Sequence, residues 1–355
     1  MSDSDIVDVV CSGKKHKECP IKLGTVYCDG YKEKSEIGVF SHFHHDHISS
    51  IAECIRECDV LITHPITFQA IIATEPGFAL REQWTPQEYG DTYVGKFGDV
   101  TLLKANHIPG SSQVYVESNG ESLLYSGDFS YPGISIRHAD YLVLDATHGD
   151  PWYDGKTDRK SVMNRMFEEI KDKMFSKKPV IIRSASGTMQ ELIWYFEVGY
   201  DGSKLNHDIP FVMPKKQKNI LLKIFANDKK EFRDNIIEYE SHDYWNLVYG
   251  NKKCVIFLTN EIVDYSLQNY YQIIVDRYRF VKEKAAIIPF GGGCRYNLAS
   301  HASVDDILTY VGKVNPKIVV TDYSRSGHAP MLAKLIHQKY PEINAYPRPS
   351  SINHV

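Results

Sequence analysis

Ser41-His42-Phe43-His44-His45-Asp46-His47 follows directly on Ile37-Gly38-Val39-Phe40, an apolar run that reads as a buried strand. On an extended chain the side chains at i and i+2 share one face, so His42 and His44 can point at one cation. Asp46 and His47 come after the turn, where a helix beginning near Ile48 aims them from another side. The pattern H-x-H-x-D-H can therefore serve two metals. A histidine-rich surface turn, the plain alternative, leaves unexplained why strand, ligand spacing and following helix all agree.

Outward from that stretch, composition sets the frame. A chain of 355 residues suggests about two domains, and 43% hydrophobic with 24% charged residues is ordinary for a globular protein. The formal net charge of -4 argues against an overall basic nucleic-acid-binding surface and leaves room for a local basic groove. No run approaches the roughly 18 apolar residues of a membrane span, and the polar start has no basic segment followed by an apolar one. The expectation is an intracellular protein, cytoplasmic or nuclear, with no membrane partner. Its 7 cysteines are scattered rather than arranged as a framework, so reduced thiols are expected, with Cys54 and Cys58 packed together on a helix.

In chain order, Thr25-Val26-Tyr27 reads as a strand ending in the turn Cys28-Asp29-Gly30. Asp29 is either a plain turn residue or the carboxylate that accepts the free N–H of a metal-bound imidazole. Ile48 to Cys58 has helical spacing, Asp59 to Thr63 that of a strand, and Ile66 to Ala73 that of a helix. Short strands follow at Val100–Leu103, Gln113–Val116 and Ser122–Tyr125, the last two joined through an Asn119-Gly120 turn. His107 and Asp128 each lie just beyond a strand end, where loops carry function. Tyr141-Leu142-Val143-Leu144 then runs apolar into Asp145.

This set of residues resembles the metallo-β-lactamase fold and, within it, the β-CASP nucleases. That group includes Artemis-like DNA nucleases, DNA-ligase-associated exonucleases and RNA-cleaving relatives such as RNase J. His42-x-His44-x-Asp46-His47 matches the family's metal loop, His107 in Ala-Asn-His-Ile-Pro-Gly-Ser the next motif, and Asp128 in Ser-Gly-Asp-Phe-Ser the bridging aspartate. Asp145 in Leu-Asp-Ala-Thr-His-Gly matches the first β-CASP motif, and Ser300-His301-Ala302-Ser303 resembles the second. The resemblance implies an αββα sandwich with an inserted, smaller α/β domain. The expected boundaries are 1–155, 156–285 and 286–355, with Gly291-Gly292-Gly293 marking the return to the first domain. Within the insert, Arg183 to Leu192 reads as strand end, glycine loop and helix start. Lys215-Lys216-Gln217-Lys218 is either a solvated face or part of a backbone groove.

The ligands indicated by this resemblance suit two zinc ions, with manganese as the alternative. His42, His44 and His107 would hold the first, Asp46 and His47 the second, with Asp128 between them. Asp145 would orient the site, and His301 would steady phosphate or protonate the leaving oxygen. Ser130 and Ser303 are further candidates for phosphate contacts. Where RNA-cleaving members have a histidine after the last strand, this chain has Thr321-Asp322; Asp322 is either a ligand of the second metal or a turn cap. The stretches around Asp145 and His107 look more like the DNA branch, whereas Gly-Ser-Ser-Gln at 110–113 and Ser-His-Ala-Ser look more like the RNA branch or the DNA-ligase-associated exonucleases; the expectation is a DNA exonuclease, with an RNA-processing nuclease as the alternative. A small-molecule hydrolase of the same fold would share the metal loop without needing Asp145, His301 or the insert.

Overall fold

Alternating and continuous apolar strands account for the order of elements in the computed structural model, which describes residues 6–10, 19–153, 158–175, 178–198, 205–226, 235–276, 287–325 and 327–349. The first sheet holds β1 (Val7–Val9), β2 (Ile21–Leu23), β3 (Val26–Cys28), β4 (Ser35–Phe40), β5 (Cys58–Thr63) and β6 (Trp84–Pro86) side by side in that order. From β3 onward its strands are parallel. Helices α1 (His45–Ile48), α2 (Ile51–Glu57) and α3 (Pro65–Thr74) join them. Where one helix was expected from Ile48, two short ones form, split at Ser49-Ser50, with Ser50 standing as the N-cap of α2.

The second sheet begins with β7 (Thr92–Val94), β8 (Asp99–Lys104), β9 (Ser112–Ser118), β10 (Glu121–Tyr125) and β11 (Tyr141–Leu144). Asn119 and Gly120 turn the β9–β10 hairpin with φ of 53° and 80°, the left-handed values that tight turn needs.

After Asp154 the chain enters a second compact unit, which runs to Ala299. It contains α4 (Arg159–Phe175), β12 (Val180–Arg183), α5 (Thr188–Val198), β13 (Phe211–Met213), α6 (Lys215–Ile224), β14 (Ile236–Glu238), α7 (His242–Tyr249), β15 (Val255–Leu258), β16 (Tyr271–Asp276), β17 (Ile287–Phe290) and β18 (Gly293–Asn297). Its sheet, ordered β14-β13-β15-β12-β16-β18-β17, is parallel apart from β17. Part of its core is Ile181, Val212, Ile256 and Leu258 under Tyr244 and Val248 of α7. Gly291-Gly292 turns the β17–β18 hairpin inside this unit and does not return the chain to the first. The return falls at Ser300, because β18 pairs in parallel with β16 and so belongs to the insert's sheet. At the base of the insert, Arg159 donates to the carbonyls of Leu298 and Ala299 and pairs with Glu191, so the start and the end of the unit are clasped by one guanidinium.

The first unit is completed by α8 (Val304–Val314), β19 (Ile318–Asp322), α9 (Ala329–Lys339) and β20 (Asn344–Arg348). β19 lies between β11 and β20, parallel to both. Period-two alternation then sorts side chains into two cores. Val143, Leu123, Tyr125 and Val320 face Ile37, Val39 and Ile62 of the first sheet. Their neighbours Leu142, Leu144, Leu124 and Val319 face Ile307, Val311, Leu332 and Ile336 of α8 and α9. β11 is buried on both faces, which is why it reads as an unbroken apolar run. Cys19 is disulfide-bonded while the other five described cysteines are free thiols, so the expectation of reduced thiols fails at Cys19.

Candidate metal centre

β8 and β10 both run antiparallel to β9, and β10, β11 and β19 run parallel, so four carboxyl ends of the second sheet point the same way. His107, Asp128 and Asp145 follow three of those ends. The parallel β3 and β4 of the first sheet bring Asp29 and the histidine loop to meet them. Ser112 N–H donates to the Ser41 carbonyl, tying the loops across the two sheets. Asp128 is preceded by Gly127 at φ 55°, where an added Cβ would stand 2.6 Å from the Ser112 carbonyl oxygen. Only glycine fits that approach.

His42, His44, His107 and Asp128 form one cluster of converging ligand atoms. His42 Nε2 and His107 Nε2 lie 3.0 Å and 3.1 Å from His44 Nδ1, and Asp128 Oδ2 lies 3.7 Å and 3.5 Å from the first two. Hydrogen bonds at the far side of each ring set the tautomers. Ser41 Oγ donates to Asp29, so it accepts from His42 Nδ1, and His107 Nδ1 donates to the Ser300 carbonyl. Both Nε2 atoms are thus left as lone pairs aimed into the cluster. Burial, then the neighbouring histidines, hold His42 well below the usual imidazole range. Burial and the nearby His301 bring His107 down to about 3.

A second group surrounds His47. Its Nδ1 donates to Asp29 Oδ2 at 2.8 Å, and its Nε2 lies 3.4 Å from Asp128 Oδ2 and 3.8 Å from Asp46 Oδ2. That Nε2 is buried and has no hydrogen-bond partner among the described residues. Burial works against charge on His47, yet the Asp128 and Asp29 carboxylates push it up to about 10. Asp29 is fully buried; against the cost of that burial, His47, Arg325 and the Ser41 hydrogen bonds hold it below the carboxylate range. Asp29 also accepts from the Tyr125 hydroxyl at 3.0 Å. It is therefore far more than a turn residue, although its φ of 53° makes the turn as well.

These donors fit divalent ions. A tetrahedral ion with metal–nitrogen bonds of about 2.0–2.1 Å has donor–donor edges of about 3.3–3.4 Å, close to the separations above. Imidazole and carboxylate donors without thiolate suit zinc, and the orphaned His47 Nε2 beside Asp128 and the 43%-exposed Asp46 offers the start of a second site. The donor set also admits manganese.

Beside the first cluster, Asp128, Asp145 and His301 form another group of close ligand atoms. Asp145 Oδ2 accepts from His301 Nδ1 at 2.8 Å, which leaves His301 Nε2 3.9 Å from Asp128 Oδ2. Asp145 Oδ1 accepts from the Thr147 amide and hydroxyl. Asp145 therefore orients His301. Asp322 stands outside both clusters: Oδ1 accepts from the Ser324 amide and hydroxyl, and Oδ2 from Arg325 at 3.0 Å. Of the two expectations for it, turn cap and ligand, these bonds match the cap. The phosphate contacts expected of two serines are taken by structural bonds: Ser303 caps α8 by accepting from the Asp306 amide, and Ser130 donates to the Asn106 carbonyl. The roles of Tyr125 and Arg325 went unread in the sequence, since partners so distant along the chain leave no local pattern, and that of Ser41 because a serine beside a histidine carries no signal of its own.

Comparison with known proteins places this geometry in a class. Residues 39–182 match the metallo-beta-lactamase superfamily. Over 124 residues the chain is 30% identical to the "uncharacterized protein in lig 3'region" of Acidianus ambivalens, covering 34% of this chain and 83% of that one. It is 26% identical over 195 residues to the RNase J-like protein of Methanocaldococcus jannaschii, covering 48% of this chain and 45% of that one. It is 33% identical over 120 residues to the 5' exonuclease Apollo of Gallus gallus, covering 31% and 25%. A solved structure, a protein of unknown function from Enterococcus faecalis V583, aligns with a TM-score of 0.55 at 13% identity over 82% of this chain and 77% of that one, a likeness of fold alone. The chain belongs to the metallo-β-lactamase superfamily, and its relatives include proteins named as an RNase J-like protein and a 5' exonuclease. It spans about half or less of the RNase J-like and Apollo relatives.

Proposed function

We propose that the protein is a metal-dependent nuclease that hydrolyses phosphodiester bonds, with DNA as the favoured substrate and an exonucleolytic mode. The observation that carries this reading is the Asp145–His301 pair set against the shared Asp128, an arrangement a small-molecule hydrolase on this fold does not need. The relative named Apollo supports DNA, and the RNase J-like relative supports RNA as the second reading.

His42, His44 and His107 would hold one divalent ion, Asp46 and His47 a second, and Asp128 both. When bound, such ions supply a nucleophilic water at neutral pH and neutralise charge on the attacked phosphate. The chain's own residues do the rest. Asp29 and Ser41 fix the rings of His47 and His42, so that their second nitrogens face inward. His301, with Nδ1 committed to Asp145, presents Nε2 to the cluster and can pass a proton to the departing oxygen there. The same imidazole contacts the phosphate before cleavage. Digestion of end-labelled single- and double-stranded DNA and RNA, with zinc or with manganese, tests this. Shortening from one end of DNA is expected; cleavage of RNA alone selects the second reading, and cleavage of neither removes both.

A further inference from the structure

Position 322 lies where RNA-cleaving members of the resembled family carry a histidine, and here its carboxylate is turned away from the clusters toward Arg325. That arginine is nearly buried, at 8% exposure, and reaches three ways. Nη1 donates to Asp322 Oδ2 at 3.0 Å, and Nη2 donates to the carbonyls of Asp29 at 3.3 Å and Cys19 at 3.2 Å. Asp29 sits in a left-handed turn at the end of β3, and the same residue's carboxylate accepts from His47 Nδ1. The end of β19, the end of β3 and the imidazole of His47 are thereby linked through one guanidinium. A rigid, planar fork with fixed donors is suited to such a three-way hold, and a lysine ammonium cannot reproduce it.

We propose that Asp322 and Arg325 form a clamp that positions His47, through the Asp29 turn, for the second metal ion, without either residue touching that ion. The clamp rests on the two-ion reading given above. Asp322 fixes the guanidinium, the guanidinium fixes the Asp29 backbone, and the Asp29 carboxylate fixes the tautomer and the direction of His47. Partners that orient a ligand in this way commonly change metal affinity by about 10–100-fold when lost. Asp322 and Arg325 are then positioning residues, and their substitution falls mainly on the second ion, whose ligand His47 bonds Asp29 directly. Of the first ion's ligands, His107 is oriented by the Ser300 carbonyl, independently of Asp29, and His42 only at one remove, through the Ser41 hydroxyl that Asp29 also holds.

The test is titration of zinc into the full-length, chelator-stripped protein, read as ions bound and their two affinities, with thermal unfolding recorded for every variant. Wild type is measured first: uptake of fewer than two ions overturns the two-ion reading, and the clamp with it. With two ions in wild type, Arg325→Met is expected to weaken one of them about 10–100-fold and the other distinctly less. Asp322→Asn should weaken the same ion. The double variant should be no worse than Arg325→Met alone, because both act through one contact. A direct ligand behaves in the opposite way: Asp322→Asn would lose the second ion while Arg325→Met, releasing the carboxylate, would retain or tighten it. That result overturns the clamp, as does wild-type affinity at both sites in Arg325→Met. Should the methionine variant fail to fold, Arg325→Lys replaces it. Weakening that falls mainly on one ion supports the clamp, and two wild-type affinities, or equal loss at both sites, overturn it.

Discussion

His47 and His107 stand within one loop cluster and hold protons in opposite ways. Burial and the nearby His301 outweigh the Asp128 carboxylate and bring His107 down to about 3, whereas His47 lies between two carboxylates and is pushed up to about 10. In metal-free protein at neutral pH, His47 therefore carries a proton that a metal must displace, and His42 and His107 carry none. Calorimetric zinc titration near pH 7.5 in buffers of differing ionisation enthalpy is expected to show release of about one proton from His47 for the ion that takes it, and none from His42 or His107 for the other. The release falls toward zero as pH rises through about 10, because the folded pKa lies above the solution value; equal release at both sites would contradict the assignment. Asp128→Ala removes the carboxylate shared by the two groups, so both ions should weaken and cleavage should vanish; metal analysis and the digestion assay check this together. His301→Ala should keep both ions and slow cleavage by roughly 10²–10⁴-fold. Loss of metal in that variant would make His301 a ligand.

Among elements, short connections do more than the helices and strands they join. At Gly127 a left-handed φ of 55° and the Ser112 carbonyl 2.6 Å from any Cβ leave no room for alanine, so Gly127→Ala should cost roughly 1–3 kcal/mol and weaken metal uptake. Gly120, at φ 80° with nothing near its would-be Cβ, provides the control: Gly120→Ala should lose roughly 1 kcal/mol at most in thermal unfolding, with metal uptake intact. Ser303→Ala is expected to cost about 1 kcal/mol as a lost helix cap and to leave substrate KM unchanged; a raised KM would restore the phosphate contact. The strand and helix patterns flanking these loops were legible because burial imposes a period on the sequence, as in β11 with both faces covered. The metal loop was legible because its ligands are neighbours in sequence. Asp29 was half legible, a carboxylate at a strand end with no sign of its four donors. The jobs of Ser303 and Arg325 were not legible, since a serine before a helix reads alike whether it meets an amide or a phosphate. Nor does the chain announce that Arg325 lies beside residues nearly 300 positions away along it.

For the whole molecule, every residue assigned here to metal, orientation or proton transfer belongs to the first unit, and the second has a sheet and core of its own. The sequence showed that an insert was present but placed its end too early, because Gly291-Gly292-Gly293 looks the same in a hairpin as at a domain border. The clasp at Arg159 has a consequence in time as well as in space. The donors His42, His44, His47, His107 and Asp128 are all synthesised before the insert begins. The Ser300 carbonyl that sets the His107 ring, His301 itself, and the strand carrying Asp322 and Arg325 emerge only after the insert is complete. A nascent chain stalled inside the insert thus displays metal donors whose rings are not yet all oriented. By closing the ends of the insert on each other, Arg159 brings the late segment back to where the early one stopped. The donor set and the groups that orient it are therefore complete only once the segment after Ala299 has been made, and a chain cut short there carries the histidines without the Ser300 carbonyl and the His301–Asp145 bond.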